Sequence, residues 1–367
     1  MTSSQNSAQP GGASAVGSEV VRPGVSSATL AAAGVRKVEA AEAFTLVGYQ
    51  VAGDLIPYRD STGQPILRRD GQPFYRLRVK YPQSGGPKYL SPKGEPCQLY
   101  LPPADWNRAG KGVVFYIVEG EFKALAMTEA GFTCVGVGGI NSVCPNNAAG
   151  DPELLPALVK LIAQVNPPTI AFIGDNDTAL IPGFSQEAVK LAKLIGRPVI
   201  LPRIPCDSPG KGVDDMSQQL GDKFANWWKQ TVAEAEPVKE KDSAGSLAVR
   251  LLSREEAALA KMVLTSREEV TARLVKLGAG VSHEPIPYEA LTKMAMKVLG
   301  ITSRPFKNAV KTEIEQQAKR QLENAEAPGK PTDSDVDQCF FDGDDYYRSL
   351  DGLNFVDCAN YQIIDTP

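Results

Sequence analysis

Val113–Phe132 reads VVFYIVEGEFKALAMTEAGF. Its first six residues form an unbroken apolar run, as a strand buried on both faces requires. The run stops at Glu119-Gly120. From Glu121 to Ala130 the apolar residues Phe122, Leu125 and Ala126 recur at helical spacing, and Gly131 suits a C-terminal cap. A strand that turns straight into a helix is half of a βαβ unit, and the pattern continues downstream. Thr133–Val137 reads as strand, Glu153–Gln164 as helix, Thr169–Ile173 as strand, Ser185–Leu194 as helix and Pro198–Leu201 as strand. Such alternation predicts an α/β fold over residues 111–232, with a Rossmann-like parallel sheet covered by helices on both faces.

Carboxylates stand where these strands end. Glu119 closes the first strand, Asp175 and Asp177 follow the third in TIAFIGDND, and Asp214 and Asp215 follow the fourth in SPGKGVDDMSQQL. In an open parallel sheet, ligands bind outside the carboxyl ends of the strands. Acidic oxygens gathered there, with no histidine or cysteine pattern near them, suit a hard cation such as Mg²⁺, with Mn²⁺ as an alternative. Each motif also has an ordinary structural reading. Glu119 would favour the N-terminus of the following helix, Asp-Asn-Asp would form a turn, and Asp214 or Asp215 would cap a helix.

Taken together, the three motifs resemble the TOPRIM domain shared by bacterial-type primases, topoisomerases and certain nucleases. The resemblance covers about residues 112–230. It implies that Glu119, Asp175 and Asp177 are catalytic, and that these three with Asp214 or Asp215 bind metal. It extends upstream, where IPYRDSTGQP and FYRLRVKYPQSGGPKYLSPKGEPCQLY look like the lobe that precedes TOPRIM in bacterial primases. By that likeness Arg76, Arg78, Lys80, Lys88 and Tyr89, together with Lys123, are candidates for nucleic-acid or nucleotide contacts. The nearest variant is the primase-helicase type of phages, plasmids and other mobile elements. One position departs from the pattern: many primases carry Asp four residues after the EG glutamate, and this chain has Lys123.

Around this core, residues 1–40 are rich in Ser, Ala and Gly and read as a disordered tail. Residues 41–110 read as a β-rich lobe in which short extended segments alternate with turn signals. In FYRLRVKY, alternation puts Tyr75, Leu77, Val79 and Tyr81 on one face and Arg76, Arg78 and Lys80 on a solvated cationic one. The lobe is locally basic, with eight Lys/Arg against four Asp/Glu over residues 45–100, in a chain of net charge −4. Residues 233–245 read as a linker and 246–326 as a helical region opened by a capping box from Ser253 to Glu256. A polar linker and the start of a β-rich segment follow over 327–367, as expected of a piece of a longer protein.

Composition narrows the alternatives. The six cysteines lack CxxC pairing and the single histidine is His283, so neither a zinc site nor a histidine-based triad is expected. No apolar run approaches the ~20 residues of a membrane span, and the N-terminus has no secretory pattern. A cytoplasmic protein is expected. No GxxxxGK[ST] motor motif occurs. A partner helicase would therefore act in trans or lie beyond residue 367. The expected function is Mg²⁺-dependent nucleotidyl transfer on a single-stranded DNA template with nucleoside triphosphates. The alternatives are a TOPRIM nuclease and a non-catalytic DNA-binding or helicase-recruiting module.

Overall fold

The computed structural model describes residues 20–325 except 83–85, 107–112 and 148, together with four short strands between 340 and 363. The fold is mixed α/β, with an antiparallel sheet, a mostly parallel sheet and a helical C-terminal region.

The N-terminal part corrects one expectation. Residues 20–40, read as tail from their composition, carry helix α1 (Ser27–Ala32), strand β1 (Arg36–Val38) and the first residue of helix α2 (Ala40–Val47). Their few apolar side chains are well used, since Val20, Val25 and Leu30 are buried in the same core as Phe122 and Trp228. Residues 1–19 lie outside the described residues. Strands β2 (Gly53–Pro57), β3 (Tyr75–Val79) and β4 (Tyr89–Leu90) complete an antiparallel sheet in the order β1-β2-β3-β4. One face of it packs with α2 around Val38, Val47, Leu55, Leu77 and Leu90.

The second sheet begins with β5 (Val114–Glu119), followed by α3 (Glu121–Glu129) and β6 (Cys134–Val137). Next come α4 (Pro156–Val165), β7 (Thr169–Ile173), α5 (Pro182–Ile195) and β8 (Val199–Leu201). Helix α4 starts three residues later than its apolar spacing suggests, because Pro156 occupies the first turn, where its missing N–H costs nothing. After β8 come α6 (Val213–Leu220), α7 (Phe224–Ala233) and β9 (Glu236–Pro237). The strand order is β6-β5-β7-β8-β9, parallel except for β9. Alternation along the strands divides two cores: Phe115, Ile117 and Phe172 face one side, Tyr116, Val118 and Ile173 the other. The 233–245 stretch is thus more than a linker. Arg250 pairs with Glu236 and Asp242, which fixes β9 to the helix that follows.

That helix, α8 (Ala244–Arg254), joins α9 (Glu256–Val281), α10 (Pro285–Leu299) and α11 (Ser303–Ala325) in a bundle around Leu252, Leu274, Leu291 and Phe306. The expected capping box at Ser253 is absent. Ser253 lies in the last turn of α8 and its hydroxyl donates to the Val249 carbonyl, while Ser243 caps the start of that helix. Helix α9 is interrupted at Ser266, whose backbone is non-helical. Strands β10 (Phe340–Asp342), β11 (Tyr346–Arg348), β12 (Phe355–Asp357) and β13 (Gln362–Ile363) form a separate antiparallel sheet. Of the polar linker and β-rich start expected over 327–367, residues 327–339 lie outside the described residues. Among the described residues, no helix is long and apolar enough to cross a membrane.

Candidate functional site

Strand order reverses at β5, with β6 on one side and β7 on the other, so the carboxyl ends of β5 and β7 flank a topological switch point. Glu119 is the last residue of β5. Gly120 follows at φ +94°, a conformation open to glycine that lets the chain turn at once into α3. Asp175 and Asp177 follow β7 on a loop whose backbone is tied down. The Asn176 N–H donates to the Lys211 carbonyl at 2.8 Å, and the Thr178 N–H donates to the Asp175 carbonyl at 3.1 Å.

Glu119, Asp175 and Asp177 line a cavity of about 550 Å³ between the two sheets, together with Asp214 and Asp215. The two last-named acids differ in role. Asp215 Oδ2 accepts from the backbone N–H groups of Lys211 and Gly212, capping α6. Asp214 Oδ1 is buried without a hydrogen-bond partner, as is Asp177 Oδ1.

Three cations are set among the carboxylates. Lys123, in the first turn of α3, donates to Asp175 Oδ1. Lys211 Nζ lies 3.7 Å from Asp175 Oδ2 and 3.5 Å from Asp177 Oδ2, on a side chain that is 60% exposed. Arg273, reaching in from α9, donates to Asp177 Oδ2 at 2.9 Å and is itself braced by Glu269 at 2.8 Å. With these ion pairs in place, no three His, Cys, Asp or Glu side chains among the described residues are grouped so as to hold a metal ion.

Burial raises the Glu119 carboxyl above its ordinary value; Lys123 opposes the shift and Asp175 adds to it. Asp214 is raised for the same first reason, against the pull of Lys123. Lys123 is pushed up: burial disfavours its charge, but Asp175, Glu119 and Asp214 outweigh that. A carboxyl with a raised folded-state value binds its proton more tightly in the folded chain. Its effect on stability is therefore most favourable at acid pH and worsens as pH rises from the unfolded value through the folded one. Asp214→Asn is accordingly expected to raise the thermal unfolding midpoint at neutral pH. The difference from wild type should shrink as pH falls toward about 4, where an unfolded Asp itself protonates. Calorimetry across that range checks this, and a lowered midpoint at neutral pH would contradict it.

The opposite wall comes from the antiparallel sheet and the N-terminal segment. Arg22, Arg78, Lys88 and Tyr89 line it. Arg22 pairs with Asp54, and its guanidinium sits 4.8 Å from the Phe122 ring centroid. Burial, and then the neighbouring charge of Arg78, lower its pKa to about 10. It stays protonated at neutral pH. Neither Arg78 nor Lys88 has a carboxylate partner among the described residues.

Arg76 lines the cavity but not from the solvated face expected of it, and Lys80, though exposed as expected, lies away from the cavity. Arg76 is buried, because that face of β3 packs against the α/β domain instead of water. It donates to Glu121 Oε1 at 2.9 Å and to the Gly138 carbonyl at 2.8 Å, while the Tyr58 hydroxyl donates to the same Glu121 oxygen at 2.6 Å. Its charge is thus neutralised inside the protein. Lys80 is exposed, sits over the Tyr81 ring and is not among the residues lining the cavity. Arg22 and Arg273 escaped the sequence reading. The first lies in a stretch that composition marks as tail, and the second is 96 positions from its partner.

Residues 105–224 match the family model described as Domain of unknown function (DUF3854). No protein of curated function matches the sequence. Among solved structures, the Aquifex aeolicus primase (zinc binding and RNA polymerase domains) is similar at 13% identity and a TM-score of 0.30, over 69% of this chain and 53% of that one. The chain thus spans about half of that relative. The E. coli primase catalytic core is similar at 18% identity and a TM-score of 0.39, over 76% and 88% of the two chains. The RNA polymerase domain of Mycobacterium tuberculosis primase DnaG is similar at 17% identity and a TM-score of 0.32, over 72% and 76%.

Proposed function

We propose that this chain is a TOPRIM-type, primase-like nucleotidyltransferase of the mobile-element class, extending a nucleic-acid 3′ end on a single-stranded DNA template. One observation carries the reading. Glu119, Asp175, Asp177 and Asp214 face a single cavity at the switch point of a parallel sheet, and its far wall presents Arg78 and Lys88, which have no acidic partners among the described residues. Acids on one side and unpaired cations on the other suit a polyanionic substrate handled with a hard cation.

Two carboxylates, Asp175 and Asp177, are the kind of partial donor set that Mg²⁺ takes when substrate phosphates and waters supply the rest. Asp177 Oδ1 and Asp214 Oδ1 are buried oxygens without partners, and Lys211 holds Asp175 and Asp177 loosely from an exposed side chain, so a divalent ion can displace it. Asp175 and Asp177 would hold Mg²⁺, or Mn²⁺ in its place, with Glu119 and Asp214 beside them. When bound, the ion supplies Lewis-acid stabilisation of charge on the reacting phosphate. Arg78 and Lys88 bind backbone or triphosphate oxygens, which makes binding weaken with salt. The Tyr89 ring, with the Arg76 guanidinium 4.9 Å from its centroid, offers a face on which a base can stack. Glu119, with its raised carboxyl, would take the proton from an attacking 3′-hydroxyl. A helicase acting in trans belongs to the same reading.

The cations resting on Asp175 and Asp177 favour a second reading, a DNA-binding module without chemistry. Incubating the protein with single-stranded template, labelled nucleotides and Mg²⁺, with and without excess chelator, separates the possibilities. Products of primer length that disappear on chelation are expected. Shortened template would show a nuclease instead. Template binding with neither product, across several templates and both metals, would leave the non-catalytic module.

A further inference from the structure

Lys123 stands at the centre of the acidic side of the cavity, where a residue of the opposite charge is expected from the resemblance to primases. Its ammonium donates to Asp175 Oδ1, with Glu119 and Asp214 as its further electrostatic partners. The loop before α6 is shaped around its stem. At Gly212 a Cβ would come 2.7 Å from Lys123 Cε, 2.6 Å from Asp214 Oδ1 and 3.3 Å from Asp175 Oδ1. The lysine is therefore seated between β5, the β7 loop and the α6 N-terminus, and a side chain at 212 would push its stem or the neighbouring carboxylates aside.

Charge decides what else the site can hold. Glu119, Asp175, Asp177 and Asp214 carry four negative charges, and Lys123 and Arg273 return two positive ones. If the exposed Lys211 swings away, two negative charges remain. One divalent ion neutralises these, and a second would leave a buried excess of positive charge, which is costly in a low-dielectric site. Asp215 adds one further negative charge, since its bonds from the amides of Lys211 and Gly212 leave it ionised, but Arg78 and Lys88 across the cavity more than offset it. Asp177 is 9% exposed and keeps one unpartnered oxygen for the ion that does bind.

We infer that the Lys123 ammonium is a built-in cation that takes the place of a second divalent ion, leaving Asp175 and Asp177 to hold a single one. This rests on the reading of the site as a divalent-cation centre. Lys123 then stabilises the fold of the site without metal, and the protein should tolerate chelators that disable its activity.

Mn²⁺ binding to the full chain, followed by calorimetric titration and by the spin resonance of free Mn²⁺, tests this apart from catalysis. Wild type and Lys123→Arg are expected to bind one ion per chain, and Lys123→Asp two. In EDTA the thermal midpoint of wild type should fall only by the amount its single ion contributes, whereas that of Lys123→Ala should fall further and recover with Mn²⁺. Two ions on wild type, or one on Lys123→Asp, overturns the proposal. So does a Lys123→Ala midpoint that Mn²⁺ fails to restore, because the lysine would then be only a packing element. Wild type binding no ion overturns both this proposal and the metal-dependent reading. One ion on wild type and two on Lys123→Asp, without any primer product, would uphold this proposal while removing the nucleotidyltransferase reading.

Discussion

Glu121→Ala is expected to destabilise the protein by about 3–5 kcal/mol, since removing one member of a buried ion pair strands the other. Glu121 is 1% exposed, and Arg76 has no other carboxylate within reach among the described residues. The Tyr58 hydroxyl loses its acceptor in the same change, and it cannot ionise instead, because burial, the main cause of its raised value, persists without Glu121. The loss is a large part of the ~5–15 kcal/mol that keeps a domain folded. It also falls at a junction, because Tyr58 and Arg76 belong to the antiparallel lobe and Glu121 to α3. The lobe should therefore loosen from the α/β domain before either unfolds. Urea denaturation followed by tyrosine and tryptophan fluorescence measures the cost. A change under about 1 kcal/mol would show that water or a rearranged Arg76 compensates. Pairing Glu121→Leu with Arg76→Met should recover much of the loss, as apolar replacement of a whole buried pair commonly does.

This cluster marks how far the sequence could be read. The βαβ core was legible because burial on both faces leaves a strong imprint: Thr169–Ile173 is a strand with the bounds its apolar run gives. The carboxylates were legible for a related reason, since a strand that ends in an acid places that acid at the sheet edge whatever surrounds it. Arg76 was misplaced because strand alternation tells which residues share a face and not what covers that face. Here the second face of β3 is covered by the α/β domain, and the arginine is neutralised there. The N-terminal segment failed on composition. Val20, Val25 and Leu30 are too few to mark a folded element locally, yet they complete a core whose other members lie far along the chain. Of Asp214 and Asp215, spacing could not choose; the direction of each side chain at the start of α6 does, one capping amides and one facing the cavity. Arg273 left no local signal at all, because what places it beside Asp177 is the packing of α9.

Asp175→Ala is expected to lower template-dependent synthesis by roughly 10³-fold or more, or ~4 kcal/mol of transition-state stabilisation, the size expected when a central electrostatic group of an active site is removed. The fold should survive. The Asp175 backbone keeps its bond from Thr178, and Asn176 keeps its bond to the Lys211 carbonyl, so the loop retains its shape without the carboxylate. What changes is charge. Lys123 loses its hydrogen-bonded acceptor and Lys211 loses one of two, leaving the cavity more positive beside Arg78 and Lys88. Affinity for single-stranded DNA should accordingly hold or rise while synthesis collapses, and the salt dependence of binding should steepen, because each added phosphate contact releases a further counterion. Asp215→Asn is the matched control. Its carboxylate caps α6, so about 1 kcal/mol of stability is at stake and little synthesis. Primer yield measured beside fluorescence anisotropy of a labelled template resolves the two quantities. Synthesis within about tenfold of wild type would remove Asp175 from the chemistry. Binding lost in step with synthesis would make it a structural residue, and the carboxyl edge of β7 would then hold the loop and not the reaction.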